Sequence, residues 1–508
     1  MQPDRKWFSG ANEPKFFSQG ILQMAGGLMQ LVAYGAQDVY LTGQPKVTFF
    51  QAVYKRYTNF AMEAIQQTVN GSATNSSRVS VTIARNGDLV GDMWLQLKPL
   101  MAATNKLDST ILTNSTNVNP DTNWLAERSI SAVELTIGGQ RIDKHYQQWF
   151  RLYSEVFNTE SKKLMYDKLT TLGTVTNVGN TLETTTAVIL PLIFFFNRNP
   201  GLYLPLIALQ YHEVRLDFDL TAYYSYYFGT NPLSVWANYV YLDTEERRRF
   251  AQKGHEYLIE QVQYTGGDTC STSIDNTTST TSVSSSLIRL TFNHPVKELI
   301  WCYQAPTYGT SSTIDTNGMW NFSTALANVN VTSSLSGLVY SNGNGDACVR
   351  PNAVGVPRLM SDATNNKSSL WSEDGLDYSS SSTAGAGYSV GPLSTFKLVL
   401  NGQDRFAVQP GKYFNQYQPY QYHSGCPYPG IYVYSFALKP EEHQPSGTCN
   451  FSRIDNAQAN VALKPVFGFG YTTPVAAGTA ATLTQRMFAV NYNILRIQSG
   501  MGGLAFSN

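Results

Sequence analysis

Leu135-Thr-Ile-Gly-Gly-Gln-Arg-Ile142 and Leu398-Val-Leu-Asn-Gly-Gln-Asp-Arg-Phe406 are two versions of one pattern. In each, an apolar and β-branched run ends at a pair, Gly138-Gly139 or Asn401-Gly402, and a Gln opens a second short run. Such pairs supply the positive φ angles of a two-residue turn, so each segment predicts a tight β-hairpin. Further matches lie on either side, in the same order. Ile65-Gln-Gln-Thr-Val-Asn-Gly71 answers to Ile259-Glu-Gln-Val-Gln-Tyr-Thr-Gly266. Pro191-Leu-Ile-Phe-Phe-Phe196, a proline-bearing loop and Glu213-Val-Arg-Leu-Asp-Phe218 answer to Tyr432-Val-Tyr-Ser-Phe-Ala437, a proline-bearing loop and Asn460-Val-Ala-Leu463. Ala237-Asn-Tyr-Val-Tyr-Leu242 answers to Val490-Asn-Tyr-Asn-Ile-Leu495. Four matches in one order imply the duplication of a single β-domain of about 200 residues.

Composition agrees. Of 508 residues, 13% are aromatic and only 14% charged, against roughly 25% charged in an average soluble protein. Ser, Thr, Asn and Gly fill the gap, as in an all-β chain of aromatic and β-branched strands joined by polar turns. The 36 basic and 36 acidic residues cancel. A neutral chain lacks the basic face needed to displace counterions from nucleic acid, and it lacks the self-repulsion that would oppose packing against its own copies. The five cysteines, Cys270, Cys302, Cys348, Cys426 and Cys449, are odd in number and show no zinc-finger spacing; they read as thiols without disulfides in a reducing compartment. The start, Met1-Gln-Pro-Asp-Arg-Lys6, lacks the apolar core of a signal peptide, and the longest apolar run, 188–196, is about half a membrane span.

Along the chain, residues 1–59 read as an N-terminal arm, with an amphipathic helix over Thr48–Phe60 from the spacing of Phe49, Phe50, Val53, Tyr54, Tyr57 and Phe60. Residues 60–243 form the first β-domain, with period-two strands around Val79, Val81, Ile83, Trp94, Leu97, Val133, Leu135 and Ile137 and further strands at 188–196, 212–221 and 234–243. Within it a helix is expected from Lys144 to Phe157, capped by Asp143. A linker helix follows at 244–254, acidic first and basic later. Residues 255–508 are the second β-domain, with long polar surface loops at 268–286 and 304–392. The two β-domains are expected to pack separately and to superpose.

Nothing in the sequence carries catalysis. His212-Glu213 and His255-Glu256 open like a zincin motif, but Leu216 and Ile259 stand where the second ligand is needed. His145, His294, His423 and His443 have no histidine neighbour in sequence. There is no nucleophile elbow, Walker loop or dinucleotide fingerprint. Gly343-Asn-Gly-Asp346 lacks the spaced carboxylates of a calcium loop and reads as a turn. Arg247, Arg248 and Arg249 follow two glutamates and read as a solvated helix face rather than a nucleic-acid site. Sequons at Asn70, Asn75, Asn114, Asn276, Asn321, Asn330, Asn366 and Asn450 arise readily in a chain of this composition. Catalytic, cofactor-binding and metal-ligating residues are therefore all set at none, with no cofactor and no enzymatic activity.

Six stretches are more specific. Met24-Ala-Gly-Gly-Leu-Met-Gln-Leu-Val-Ala-Tyr-Gly-Ala-Gln-Asp-Val-Tyr-Leu-Thr-Gly43, continuing through Pro45 and Thr48–Phe60, resembles the opening of the major capsid proteins of nucleocytoplasmic large DNA viruses. The resemblance continues in Ile137-Gly-Gly-Gln-Arg-Ile-Asp-Lys-His-Tyr146 and Pro200-Gly-Leu-Tyr-Leu-Pro-Leu-Ile-Ala-Leu-Gln-Tyr-His-Glu-Val214. It extends to Leu400-Asn-Gly-Gln-Asp-Arg-Phe406, Gln444-Pro-Ser-Gly-Thr-Cys-Asn-Phe-Ser-Arg-Ile-Asp-Asn456 and Leu495-Arg-Ile-Gln-Ser-Gly-Met-Gly-Gly-Leu504. These motifs belong to the algal-virus and giant-virus branch and cover the chain from Met24 onward.

The resemblance implies a double jelly roll: two tandem eight-stranded antiparallel β-sandwiches, with short helices in the arm, loops and linker. It also implies a structural protein assembled in host cytoplasm. Homotrimeric, pseudo-hexagonal capsomers tile the outer icosahedral shell of the virion, with minor capsid proteins and an internal membrane at the inner face and no direct contact with nucleic acid. The polar loops then point outward and the apolar arm inward. The rival readings are a carbohydrate-binding β-sandwich used as an adhesin or spike and, further off, a glycan hydrolase on a sandwich scaffold, because a fold alone does not fix function.

Overall fold

The computed structural model of the chain describes residues 28, 31, 33, 35–99, 124–170, 187–222, 224–229, 231–274, 284–304, 340–341, 347–348, 359–361, 368–370, 391–425, 427, 430–463 and 479–506. Two units are distinguished, 1–58 and 59–508. In the first, the described helix is the five-residue α1 (Asp38–Thr42), which buries no side chain. The helix expected over Thr48–Phe60 does not form: 51–59 carries no helix and a strand starts at Phe60. Phe49, Phe50, Val53, Tyr54 and Tyr57 are largely exposed, and an apolar stripe stabilises a short helix only when something covers it.

The second unit holds two sandwiches. The first is built from β1 (Phe60–Gln67), β2 (Arg78–Thr82), β3 (Leu89–Leu97), β4 (Ile130–Ile137), β5 (Gln140–Tyr146), β6 (Val188–Pro191), β7 (Val214–Leu220) and β8 (Ser234–Leu242). One sheet has the order β1-β8-β3-β6 and the other β2-β7-β4-β5, all pairs antiparallel. The second sandwich uses β9 (His255–Ile274), β10 (Ser284–Leu290), β11 (Pro295–Gln304), β12 (Leu393–Leu400), β13 (Gln403–Asp404), β14 (Ile431–Ser435), β15 (Ala457–Leu463) and β16 (Thr479–Gln498). Its sheets run β9-β16-β11-β14 and β10-β15-β12-β13. Adding eight to each strand number of the first sandwich gives the second. The double jelly roll expected from the resemblance is the fold found.

Both hairpins that decided the reading form as two-residue turns. Gly138 and Gly139 have φ of 57° and 82° between β4 and β5, and Asn401 and Gly402 have 49° and 81° between β12 and β13. Gly138 has a second reason to lack a side chain, since a Cβ there would lie 2.3 Å from the His212 ring. Period-two burial holds along the strands: Val79, Val81, Val133, Leu135 and Ile137 all point into the first core. Trp94 sits between buried Met93 and Leu95 on β3 and therefore faces the opposite way.

Other boundaries move. Strand β5 runs on to Tyr146 because its ladder with β4 continues to Ala132↔Tyr146, and the helix α2 (Gln147–Phe157) starts only after it. Asp143 is no cap. It lies within β5, against His145 at 2.9 Å. The strand expected over 188–196 stops at Pro191, because Asn197 turns the chain by accepting the Phe194 N–H at 3.2 Å and donating to the Gly91 carbonyl at 2.8 Å. The loop expected over 268–286 is strand at both ends: β9 continues to Ile274 against Thr479–Gln485, and β10 begins at Ser284. Cys270, Thr272 and Leu483 are buried along that ribbon, so its polar, β-branched sequence is strand rather than loop. Most of the 304–392 loop lies outside the described residues, Gln304 being the end of β11. Helix α4 (Thr244–Gln252) links the sandwiches, with the Asp243 carboxylate accepting the Thr244 N–H at 2.8 Å.

The sandwiches do not pack separately. The first core includes Ile259 from β9 and Leu495 and Ile497 from β16, which belong to the second sandwich. A terminal strand β17 (Met501–Leu504) pairs with β16 and is tied to the first sandwich: the Gln140 side chain accepts the Leu504 N–H at 3.1 Å, and His212 Nδ1 accepts the Gly502 N–H at 3.1 Å.

Candidate assembly surfaces

Helix α2 follows β5 and precedes β6, and its sequence has two apolar directions. Phe150 drops into the first core. Trp149, Leu152 and Val156, spaced as one helical stripe, form a third core with Ile300 and Cys302 of β11, Ile431 and Val433 of β14, and Phe488 and Val490 of β16. That partner surface is the outer face of the second sandwich's β9-β16-β11-β14 sheet. Ile300 is paired with both Phe488 and Val433, so the three make one row across it. Burying each large side chain there is worth about 1.5–3 kcal/mol.

Ion pairs hold α2 in place. Arg151 lies 3.8 Å from Glu127, 3.7 Å from Glu155 and 3.6 Å from Asp167, with its guanidinium 4.1 Å from the Trp124 ring centroid. Lys163, on the following helix α3 (Glu160–Thr170), pairs with Glu155 at 3.5 Å. The Trp124 indole donates to Asp167 and the Tyr166 hydroxyl to Glu127, each at 2.6 Å. Burial raises the pKa of Glu127 against the pull of Arg151, and burial pushes Asp167 up to about 7. Sequence reasoning missed this cluster. Its signal was the i, i+4 spacing of Arg151 with Glu155 and of Lys163 with Asp167.

Polar links cross the same junction. Glu260 of β9 accepts from Lys297 at 2.6 Å and pairs with Arg198 of the first sandwich at 3.0 Å. Burial works to raise the Glu260 pKa, but the two cations outweigh it and hold the carboxyl below its ordinary range. Asp143 accepts the Val262 N–H at 3.1 Å, and the Gln261 side chain donates to the Ile142 carbonyl. His423, fully buried, lies 3.2 Å from Glu298 and 3.5 Å from Glu441, and its ring meets Phe157 edge-on at the C-terminal end of α2. Burial lowers its pKa, yet the two carboxylates prevail and hold it up at about 9.

Two other aromatic surfaces are open. Between β13 and β14 the chain forms a π-turn (Tyr413–Tyr417) continued by helix α5 (Gln418–Tyr422). Tyr413 and Tyr417 stack at 5.3 Å, and with Tyr420 and Gln416 they line a shallow hollow of about 570 Å³. Tyr417 is 53% exposed and Tyr420 84%. On the first sandwich, Trp94 and Trp236 are half-buried on the outer face of the β1-β8-β3-β6 sheet, stacked with centroids 6.3 Å apart and planes at 3°.

Each residue weighed for chemistry has a place in the fold. His212-Glu213 stands just before β7 and His255-Glu256 opens β9, where positions i and i+4 lie about 13 Å apart; Leu216 and Ile259 are core residues. His255 Nε2 sits 2.8 Å from the Phe250 carbonyl, and His294 is buried at positive φ with its N–H bonded to Ser452. His443 is half-buried near Glu260, its pKa lowered by burial. Arg247 is pinned to Asp88 at 2.9 Å and Arg248 pairs with Glu245. Asn70, Asn75 and Asn450 are exposed, the other sequons and Gly343–Asp346 lie outside the described residues. Cys270 and Cys302 are buried free thiols, burial pushing each up to about 12, and Cys449 is free and half-buried. Cys348 and Cys426 belong with the side chains that are not described. Among the described residues no group of three or more His, Cys, Asp or Glu could hold a metal ion, and no helix is long and apolar enough to cross a membrane.

Known proteins match along nearly the whole chain. The family model of the large eukaryotic DNA virus major capsid protein matches residues 246–503, and that of the major capsid protein N-terminus matches 48–243. The two spans meet at α4. The chain is 45% identical over 505 residues to the major capsid protein of Paramecium bursaria Chlorella virus 1, covering 96% of this chain and 100% of that one. It is 39% identical over 562 residues to the major capsid protein of Phaeocystis pouchetii virus, with the same 96% and 100% coverage. Among solved structures, a chain in the quasi-atomic model of the PBCV-1 virus capsid is 38% identical with a TM-score of 0.66, covering 91% of this chain and 100% of its own. The Faustovirus major capsid protein, 13% identical, shares the fold at a TM-score of 0.56 over 93% of this chain and 96% of its own.

Proposed function

The chain belongs to the major capsid proteins of large eukaryotic DNA viruses, a structural component of the virion's shell, and we propose that it works as a homotrimeric capsomer with no catalytic role. One observation carries this reading. Two sandwiches of the same strand order are fused into one body by shared cores, so each chain presents two similar tiles at a fixed relation. Three such chains present six similar edges while keeping a closed cyclic symmetry, which suits a six-neighbour lattice. Residues 60–243 and 255–508 are then the two tiles and 244–254 the linker, with the arm 1–59 facing minor capsid proteins and the membrane and the 304–392 loop facing outward. The balance of 36 basic and 36 acidic residues supports a shell that does not bind nucleic acid directly. The absence of a role in catalysis is supported by the acids themselves: Glu127, Glu155 and Asp167 are buried and bound to Arg151, where no substrate can reach them. Family membership favours this reading over the carbohydrate-binding adhesin.

Light scattering on the purified protein tests it. The expected mass is three times the 56.3 kDa of one chain, persisting on dilution to micromolar concentration. A monomer under those conditions overturns the capsomer reading.

A further inference from the structure

Helix α5 of the second sandwich ends at Tyr422, and the next three residues, His423-Ser424-Gly425, run against the end of a helix from the first sandwich. That helix, α2, ends at Phe157, and the carbonyls of its last turn have no partner within the helix. Gly425 lies directly on two of them. A Cβ there would stand 2.6 Å from the Glu155 oxygen and 2.5 Å from that of Val156. Beside it the His423 ring meets Phe157 edge-on, with centroids 5.4 Å apart. A cation is favoured at this end of a helix, where the macrodipole is negative.

Both nitrogens of the His423 ring face a carboxylate. Nε2 lies 3.2 Å from Glu298 of β11, and Nδ1 lies 3.5 Å from Glu441 of the loop after β14. A neutral imidazole has one N–H and would turn a lone pair toward one of those acids, whereas the imidazolium offers a donor to each. The side chains of His423 and Glu298 are fully buried. Glu441 is tied to the same three residues, accepting the Ser424 N–H at 2.7 Å and the Ser424 hydroxyl at 3.0 Å. Other charged groups on the packed elements are engaged elsewhere. Glu155 of α2 pairs with Arg151 and Lys163, Lys297 of β11 with Glu260, and Lys439 of the loop with Glu442. His443 of that loop faces Glu260, Tyr153 of α2 lies against Arg198, and the Tyr492 ring of β16 lies under Lys297. Taking the proton from His423 therefore leaves two carboxylates and a turn of carbonyls facing one another with no cation between them.

We propose that His423 is the latch of a clasp between the two sandwiches of one chain: loss of its proton frees residues 423–425 from α2, and that helix lifts from the second sandwich while the rest of the junction holds. The direction follows from the charges. Burial works against the imidazolium, but the two carboxylates hold it up at about 9 from an ordinary 6.5. Its stabilisation is complete below 6.5 and lost as pH rises through about 9, so the clasp is shut at neutral pH and opens in alkali. The opening is local. Across the junction Ile259, Leu495 and Ile497 are aliphatic, and the Leu504 N–H of β17 is accepted by an amide, Gln140. What opens is the core that Trp149, Leu152 and Val156 share with Ile300 and Cys302. This device belongs to a single chain and does not depend on the capsomer reading.

Two buried thiols report it. Cys302 belongs to the core under α2, and Cys270 to the second sandwich's own core. Both are free and burial pushes each up to about 12, so the ratio of their labelling rates is insensitive to the titration of the thiols themselves. The full chain is pulse-labelled with methyl methanethiosulfonate between pH 7 and 9.5, and each thiol is quantified by peptide mass spectrometry. The Cys302-to-Cys270 ratio is expected to rise at least about tenfold across that range. His423→Gln, which carries no charge, is expected to show the high ratio already at pH 7 and a flat profile. His423→Lys keeps a cation and is expected to hold the low ratio past pH 9. Glu441→Gln, at the partly exposed rim, removes one of the two acids and is expected to move the midpoint to lower pH. A flat ratio in the unaltered protein overturns the proposal, and so does a rise that Cys270 shares equally, which is global unfolding. If His423→Gln does not fold, the Glu441→Gln midpoint decides, and an unmoved midpoint overturns the latch.

Discussion

Across β3 and β8 of the first sandwich, the outward pairs are Trp94 with Trp236 and Gln96 with Ser234. Across the equivalent strands β11 and β16 of the second, they are Ile300 with Phe488 and Cys302 with Arg486. The strand order is the same, but the surfaces differ in the company they keep. The second face is sealed under α2, where Ile300, Phe488, Val433 and Val490 are buried, and its polar members are paired within the chain, Glu298 with His423 and Arg486 with Gln304 and Tyr264. The first face stands in water, and mixes two tryptophans with an amide and a hydroxyl. The difference teaches that two copies of one strand order can carry outer faces of different chemistry, one buried within the chain and one half-exposed.

The comparison breaks most visibly at α2. Trp149→Ala should remove about 3–5 kcal/mol of folding stability, because it opens a cavity in the core shared by the two sandwiches. Tyr420→Ala, at an exposed position of the corresponding segment of the second sandwich, should change monomer stability by less than about 0.5 kcal/mol. Urea unfolding of both variants decides it, and equal losses would show that the two segments are not in different environments.

A smaller effect tests the junction's dependence on pH. The folded-state pKa of His423 is raised, from an ordinary 6.5 to about 9. The stability it contributes is therefore fully present below about 6.5 and is lost as pH rises through 9. His423→Gln should flatten the fall in unfolding temperature between pH 7 and 9 that the unaltered protein shows. If both proteins follow the same curve, the Glu298–His423–Glu441 contact contributes nothing to stability.

The smallest change is expected at Arg496, whose pair with Glu256 joins β9 and β16 but leaves both side chains more than half exposed. Arg496→Ala should cost under about 1 kcal/mol and vanish in high salt. A larger loss in urea unfolding would mean that the edge of the second sandwich is held by charge rather than by its ladder.

Sequence reading recovered the frame because the frame is written locally. Gly138-Gly139 and Asn401-Gly402 fix two hairpins by backbone conformation alone, and alternation at Val79 and Val81 or Val133 and Leu135 fixes which face is inward. It failed where the deciding partner is remote. The aromatic spacing of 48–60 looks helical, yet no periodicity reveals whether a stripe is covered. Asp143 reads as a cap because it precedes a helix-like run, but its partners are His145 and the backbone of Val262. Lys163 and Asp167 of α3 are buried against Glu155 and Arg151 from another helix, partners that no spacing within α3 names. Nothing in the sequence pairs Trp94 with Trp236. Only the register of β3 with β8 does that.

The tie between the two ends of this unit has a consequence in time. Leu495 and Ile497 fill the first sandwich's core, and β17 fastens to His212 and Gln140. A ribosome emits the chain from its start, so the first sandwich waits, with a gap in its interior, until β16 has emerged. A message cut short, or a polypeptide clipped near its tail, leaves that gap open. In pulse proteolysis of stalled nascent chains, residues 60–243 should stay cleavable until β16 and β17 are released, and only copies carrying both should become resistant.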